Sequence, residues 1–310
     1  MTDLTLRYPI HTLAGRELLP AGIVLTDAVL GEVVAEGRGK AFPEASLLEY
    51  GTARHDLLAF IGEGTYRTIL GRETDRAEIL ALMEKTRLPV PVLESLDHFK
   101  GHDAYTYRHV LMVFALSSYI ARRMMRSFSD VLQEASAGPL HDFGKICVPV
   151  EILRKTTFLR RSERAWLEHH TIAGFVLLHY YLGDSGGVAP AVALDHHERG
   201  DESGYPRGIA LRGRLVEIVA ACDVYDALIS PRPYRTGSYD NRTALEELTR
   251  MAEQGKISWE IVKLLVALNR KDRPPPEECA VSLEKRGKSP EGNRYGVILD
   301  DDPEGSTPVR

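Results

Sequence analysis

The feature that most constrains this chain is a set of His and Asp residues on helical faces that the surrounding pattern marks for burial. His109 is in line with Val113, Leu116 and Ile120 at the i, i+4, i+7, i+11 spacing of one helix face. Asp223 lines up with Leu215 and Val219 and adjoins Cys222, and His170 aligns with Trp166, Ala173 and Leu177. A buried charge is costly unless it is paired or bound to metal. A lone core histidine is more often a satisfied hydrogen-bonder than a ligand, but here the residues form a set. His141-Asp142 follows Gly138-Pro139-Leu140, and His196-His197 ends a helical segment that opens near Pro190. Helix neighbours point roughly 100° apart, so that pair reaches one ion only where the helix end faces it. Five histidines and two carboxylates without a cysteine describe a nitrogen- and oxygen-rich transition-metal site.

Bulk properties narrow the partners. The 310 residues carry a net charge of −5, with 44% hydrophobic and 27% charged residues. That suits a protein with a real core and lacks the basic footprint of a binder of polymeric nucleic acid. An acidic substrate still fits where bound metal supplies local positive charge. The three cysteines show no metal or disulfide spacing, so a reducing cytoplasm is expected. The N-terminus lacks the basic start and apolar run of a secretion signal. The longest apolar run, Val110 to Ala121, is broken by Ser117 and Ser118, so no membrane segment is expected.

The pattern predicts a mainly α protein: a helical bundle preceded by a small α+β region. Residues 1–92 mix short strands and helices and are read as a regulatory region of unknown ligand. They include a hairpin over Gly15–Thr26 with its turn at Pro20-Ala21-Gly22, and helices at Asp27–Glu36 and Asp75–Lys85. Leu88-Pro-Val-Pro-Val92 reads as a linker. Helical periodicity fills residues 93–270, over Asp103–Met125, Ser129–Ala137, Ser162–Leu182, Ala189–His197, Leu211–Ile229, Arg242–Gln254 and Ser258–Leu268. Residues 271–310 form a Pro-rich extended tail with one strand at Tyr295–Leu299.

The ordered motifs resemble the HD-GYP branch of the HD superfamily. His141-Asp142-Phe143-Gly144-Lys145 is similar to HDxGK, and His196-His197-Glu198 through Gly204-Tyr205-Pro206 is similar to HHExxxGxGYP. Asp223–Leu228, Ser230 and Arg232–Arg235 resemble DVYDAL-x-S-x-RPYR. Tyr105–His109 resembles the opening YTxxH, and His170 with Gly174 matches HxxxG. The resemblance implies an HD-superfamily bundle that hydrolyses cyclic di-GMP to linear pGpG, with GMP as a further product. It implies one metal on His109, His141, Asp142 and Asp223, and a second on Asp142, His170, His196 and His197, with iron favoured and manganese next. Some relatives add a third metal through a glutamate that Tyr105 replaces here, so two are expected. Glu202 stands where the family usually has glycine, and Val110 where it often has serine.

In that reading a hydroxide bridging the two metals attacks phosphorus. Asp142 and Lys145 are the catalytic candidates, and Lys145, Tyr205, Arg232 and Arg235 the substrate contacts. Asp226 is expected to orient a ligand or cap the packing, His102 to face solvent or support the site, and Cys222 to be a small buried hydrophobe. The alternatives are a slow cyclic di-GMP sensor and a general HD nucleotide phosphohydrolase. A signalling partner for the N-terminal region and self-association are both compatible with this reading.

Overall fold

The computed structural model describes residues 4–183, 187–231, 237–290 and 298–300. The chain opens with one irregular hairpin. Strand β1 (Leu4–Thr5) pairs antiparallel with β4 (Val24–Leu25), and β2 (Ile10–His11) with β3 (Glu17–Leu19). The turn therefore falls at Thr12–Arg16, where the Thr12 amide bonds Arg16 O and Gly15 takes φ +78°. The chain does turn at Ala21-Gly22, but that turn joins β3 to β4 on the same arm and does not close the hairpin. Its Gly22 amide bonds back to Leu6 O, which is what the proline-glycine composition serves.

Helix α1 (Asp27–Arg38) starts on Thr26, whose hydroxyl accepts from the Val29 amide as an N-cap. Strand β5 (Glu44–Ser46) is followed by α2 (Ala53–Gly62), α3 (Gly64–Leu70) and α4 (Glu73–Lys85). The segment expected to be a linker is structured. Arg87–Pro89 forms β6, paired with β5, and Val90 begins α5 (Val90–His102). Pro89 sits at a strand end and Pro91 in the first helical turn, two places where a missing N–H costs nothing.

The core is built on α6 (Ala104–Met124), buried continuously from His109 to Ala121. A helix apolar on every side must be surrounded, and α2, α4, α5, α7 (Phe128–Ala137) and, later in the chain, Arg214–Ile229 all pack on it. Two 3₁₀ turns, Gly138–Leu140 and Phe143–Cys147, follow, then α8 (Val150–Leu153) and β7 (Leu159–Arg160). Helix α9 (Arg161–Leu182) is closed at its N-terminus by Glu163, which bonds the Arg160 amide at 2.8 Å. Helices α10 (Ala189–Asp195), α11 (Arg214–Ile229), α12 (Asn241–Glu253) and α13 (Trp259–Leu268) complete the body. Each expected helix is present to within a few residues, while α2, α3, α5 and α8 were not expected.

The N-terminal elements lie against this body. Helix α1 crosses α9 so closely that a Cβ on Gly37 would stand 1.8 Å from Tyr180 O. The described part of the tail has a 3₁₀ turn at Pro276–Glu278 and little other regular structure, and it is pinned. Arg273 reaches Asp75 and the Tyr119 hydroxyl at 2.9 Å each, and Ile298–Leu299 (β8) pairs in parallel with β7. The remainder of the strand expected at Tyr295–Leu299 lies outside the described residues. Among the described residues no helix is long and apolar enough to cross a membrane.

Candidate metal centre

Five elements deliver the seven predicted donors to one point. His109 comes from α6, His141-Asp142 from the junction of the two 3₁₀ turns, and His170 from α9. His196-His197 come from the end of α10, and Asp223 from α11. Helix α10 stops at Asp195, so the pair occupies the helix end, as sharing one ion requires. The Phe143–Cys147 turn reaches α9 because two glycines meet: a Cβ on Gly144 would lie 1.9 Å from His170 O and 2.3 Å from Gly174 N.

The donor atoms fall into two groups. Those of His109, His141 and Asp223 lie within 4.8 Å of one another, as do those of Asp142, His170, His196 and His197. Asp142 faces both groups. Its Oδ2 is 3.4 Å from His109 Nε2 and 3.3 Å from His141 Nε2, while its Oδ1 is 3.4 Å from His170 Nε2 and 3.9 Å from His196 Nε2.

The tautomers follow from the outer partners. His141 Nδ1 donates to Gly138 O at 2.8 Å, His170 Nδ1 to Leu167 O, and His196 Nδ1 to Val192 O at 3.0 Å. His109 Nδ1 donates to Asp226 Oδ2 at 2.6 Å. With Nδ1 carrying the proton, each ring turns a bare Nε2 lone pair inward. Two such nitrogens face each other at 3.2 Å between His109 and His141, and at 3.4 Å between His170 and His196. Lone pairs opposed at that distance are stabilised by a cation between them.

The electrostatics agree. Burial pushes His109 and His170 down to about 4, and burial together with neighbouring imidazoles holds His196 and His197 well below the usual range. Burial raises Asp142, but Lys145 and His141 outweigh it and hold the carboxyl well below its ordinary value. Burial also raises Asp223, and the neighbouring His109 and His197 outweigh it, holding that carboxyl well below its ordinary value. His141 is the exception: burial lowers it, yet Asp142 and Asp223 together raise it. The donor set therefore fits a divalent metal of the borderline class.

The donors open onto a cavity of about 630 Å³ whose wall includes Lys145, Arg164, Arg199, Tyr205 and Lys256. Lys145 Nζ sits 2.6 Å from Asp142 Oδ2. Tyr205 stacks on His197 with centroids 4.6 Å apart, and Tyr105 stacks on His109 at 5.7 Å. Arg232 and Arg235 lie outside the described residues. His102 stands apart from the centre, exposed and stacked on His98, and Cys222 is fully buried.

Residues that sequence reasoning left unassigned hold the frame. Glu198 is fully buried and accepts from the Arg207 amide at 2.7 Å and the Ile209 amide at 3.1 Å, folding the Gly204-Tyr205-Pro206 loop back over the centre. Arg207 then pairs with Asp195 at 2.6 Å. The HHE spacing marked Glu198, but no local pattern marked its partners. Glu202 takes φ +64°, the left-handed region that favours glycine.

Comparison with known proteins accords with this geometry. The chain is 38% identical over 185 residues to a cyclic di-GMP phosphodiesterase of Thermotoga maritima, covering 58% of this chain and 49% of that one. It is 37% identical over 190 residues to a cyclic di-GMP phosphodiesterase of Pseudomonas aeruginosa, covering 59% and 45%. It is 32% identical over 168 residues to a 3′3′-cGAMP-specific phosphodiesterase of Vibrio cholerae, covering 52% and 37%. The chain thus spans about half the length, or less, of these curated relatives. The profile of the HD domain matches residues 87–261, which include all seven donors, and the chain belongs to the HD domain family.

Proposed function

We propose that this chain is an HD-GYP phosphodiesterase that opens cyclic di-GMP to linear pGpG, with GMP as a further product, on a centre of two divalent metals. The observation that carries the reading is the pair of donor groups with Asp142 turned toward both, facing a cavity rimmed by cationic side chains. His109, His141, Asp142 and Asp223 would hold one ion, and Asp142, His170, His196 and His197 the other. The mixed imidazole and carboxylate set suits iron, then manganese, better than magnesium. Metal bound there supplies Lewis acidity to a phosphodiester and acidifies water.

The chain's own groups do the rest. Lys145 keeps Asp142 ionised and stands at the cavity wall, where a cation stabilises charge developing on phosphate. Tyr205, held flat against His197, offers a ring face at the cavity wall. Arg232 and Arg235 remain the candidate contacts to phosphate or guanine edges. Residues 1–92 are proposed as the regulatory region, 93–270 as the catalytic domain and 271–310 as the tail.

One observation favours a second reading, a slow sensor of the dinucleotide: Glu202 holds left-handed backbone where the family motif has glycine. One experiment separates the two. Anaerobically purified protein is analysed for metal, then incubated with cyclic di-GMP, 3′3′-cGAMP and nucleoside monophosphates, with products followed by chromatography. Turnover of cyclic di-GMP that is lost together with metal in Asp142→Ala supports the enzyme. Tight binding without turnover selects the sensor, and full activity in Asp142→Ala overturns the shared-ligand role. Protein that carries only zinc or magnesium counts against iron.

A further inference from the structure

Part of the support behind His109 comes from outside the family match. Asp226, on α11, is fully buried and receives the His109 Nδ1 proton on Oδ2. Its Oδ1 accepts from the Tyr66 hydroxyl and, at 3.0 Å, from the Ser230 hydroxyl. Tyr66 belongs to α3, about twenty residues before the matched region, and its side chain is 1% exposed. Its hydroxyl also stands 3.1 Å from Ser230 Oγ, which accepts from Arg108 Nη1 at 2.8 Å. Arg108 lies over the Tyr66 ring, with the guanidinium carbon 5.2 Å from the centroid, and pairs with Glu63 at the start of α3 at 2.8 Å. Asn241 fastens the same helix through Thr65 O at 3.0 Å.

A carboxylate behind a metal-binding histidine fixes the ring's tautomer and angle, and works only as well as it is itself held. Asp226 is gripped from two sides, by Ser230 one turn along its own helix and by Tyr66 from the N-terminal region. We propose that Tyr66 is a positioning residue of the metal centre: it holds Asp226, and through it aims His109 Nε2 at the His109–His141–Asp223 group. The N-terminal region is thereby a structural part of that group. A shift of α3 changes the metal affinity of this group ahead of the other. This inference rests on the metal-centre reading.

Tyr66→Phe keeps the ring and removes the hydroxyl. Co²⁺ serves as the probe, with affinity and stoichiometry read by competition against a chromophoric chelator, and coordination read from the visible absorption bands. The wild-type chain is expected to bind two equivalents. Tyr66→Phe is expected to weaken one of them up to about 10-fold, the low end of the cost of losing a ligand's direct partner because Ser230 still holds Asp226, with altered bands for that ion and the other retained. Tyr119→Phe is the control. It removes a buried tyrosine–carboxylate bond of 2.7 Å to Asp75 that touches no donor, so it is expected to leave both affinities intact. Wild-type affinities and bands in Tyr66→Phe overturn the proposal. So does an equal loss in both variants, which would mark general destabilisation. A chain that binds two Co²⁺ but cleaves no cyclic dinucleotide overturns the proposed function and leaves this inference standing. A wild-type chain that binds none overturns the metal reading and this with it.

Discussion

Gly144→Ala tests whether the meeting of two backbones builds the centre. A Cβ at Gly144 would stand 1.9 Å from His170 O, 2.3 Å from Gly174 N and 2.9 Å from Gly174 Cα, where real Cβ contacts stay beyond about 3.0 Å. The Phe143–Cys147 turn and α9 must separate by about 1.1 Å to make room. Both neighbours are backbone, so no side chain can swing aside. Overpacking of this kind costs about 1–3 kcal/mol, or roughly 2–4 °C of melting temperature per kcal/mol for a chain of a few hundred residues. The larger effect falls on the metal. Asp142 and His170 ride on the two elements being separated, with their donors only 3.4 Å apart, and a site must be held to within about 0.5 Å to work. Metal affinity at the Asp142–His170–His196–His197 group is expected to fall at least 100-fold, beyond the usual outer-shell loss. Gly174→Ala is the matched comparison. Its Cβ would meet Ala193 Cβ and Gly144 N at 3.2 Å, a tight but adjustable fit. Replacing a mid-helix glycine by alanine gains roughly 0.5–1 kcal/mol, so its stability should stay within about 1 kcal/mol of wild type. Thermal melts of the metal-free protein and chelator competition read both quantities. Wild-type metal affinity in Gly144→Ala, or equal damage from Gly174→Ala, would refute the reasoning.

Two further predictions concern the loop and the histidines. Glu202→Gly removes a side chain from left-handed backbone at φ +64°, relieving about 1–2 kcal/mol against the extra freedom glycine gives the unfolded chain. The expected outcome is a gain of up to about 1 kcal/mol in a urea melt, and a loss larger than that would show that the Glu202 side chain is a net support of the loop. In metal-free protein, burial holds His109, His169 and His170 at about 4 and His196 and His197 well below their ordinary value. The unfolded chain, titrating near 6.5, takes up protons first as pH falls. The stability these five contribute is full above about 6.5 and drains toward 4, at up to about 1.4 kcal/mol per pH unit for each. His141, raised by its carboxylates, works in the opposite sense, and one residue does not cancel five. Urea midpoints should therefore drop between pH 7 and pH 5, and a flat profile would mean that these rings are not held neutral.

What could be read from the sequence depended on how narrowly the physics restricts the choice of residue. Metal ligation admits few side chains, so His109, His170 and Asp223 stood out against apolar stripes, although 114 residues separate His109 from Asp223. Long amphipathic or all-apolar segments such as α6 and α9 were readable for a similar reason, because burial repeats along them. Prolines and glycines misled because their meaning depends on place. Pro20-Ala21-Gly22 has turn composition, yet the hairpin turns at Thr12–Arg16, where Gly15 supplies the positive φ. Pro89 and Pro91 read as a linker, yet they occupy a strand end and a first helical turn. Helices α2 and α3 escaped, although α2 buries Ala53, Leu57 and Ile61 at helical spacing. The supports behind the donors are harder still. Asp226 requires only some hydroxyl in reach, and its donor arrives from a residue 160 positions away on the shortest of these helices. Backbone carbonyls of Gly138, Leu167 and Val192, which any residue supplies, fix three of the imidazoles. A protein's sequence thus displays the atoms that must be of one kind and conceals the atoms that aim them. It is in that concealed layer that two chains with the same seven donors differ in how firmly they hold a metal.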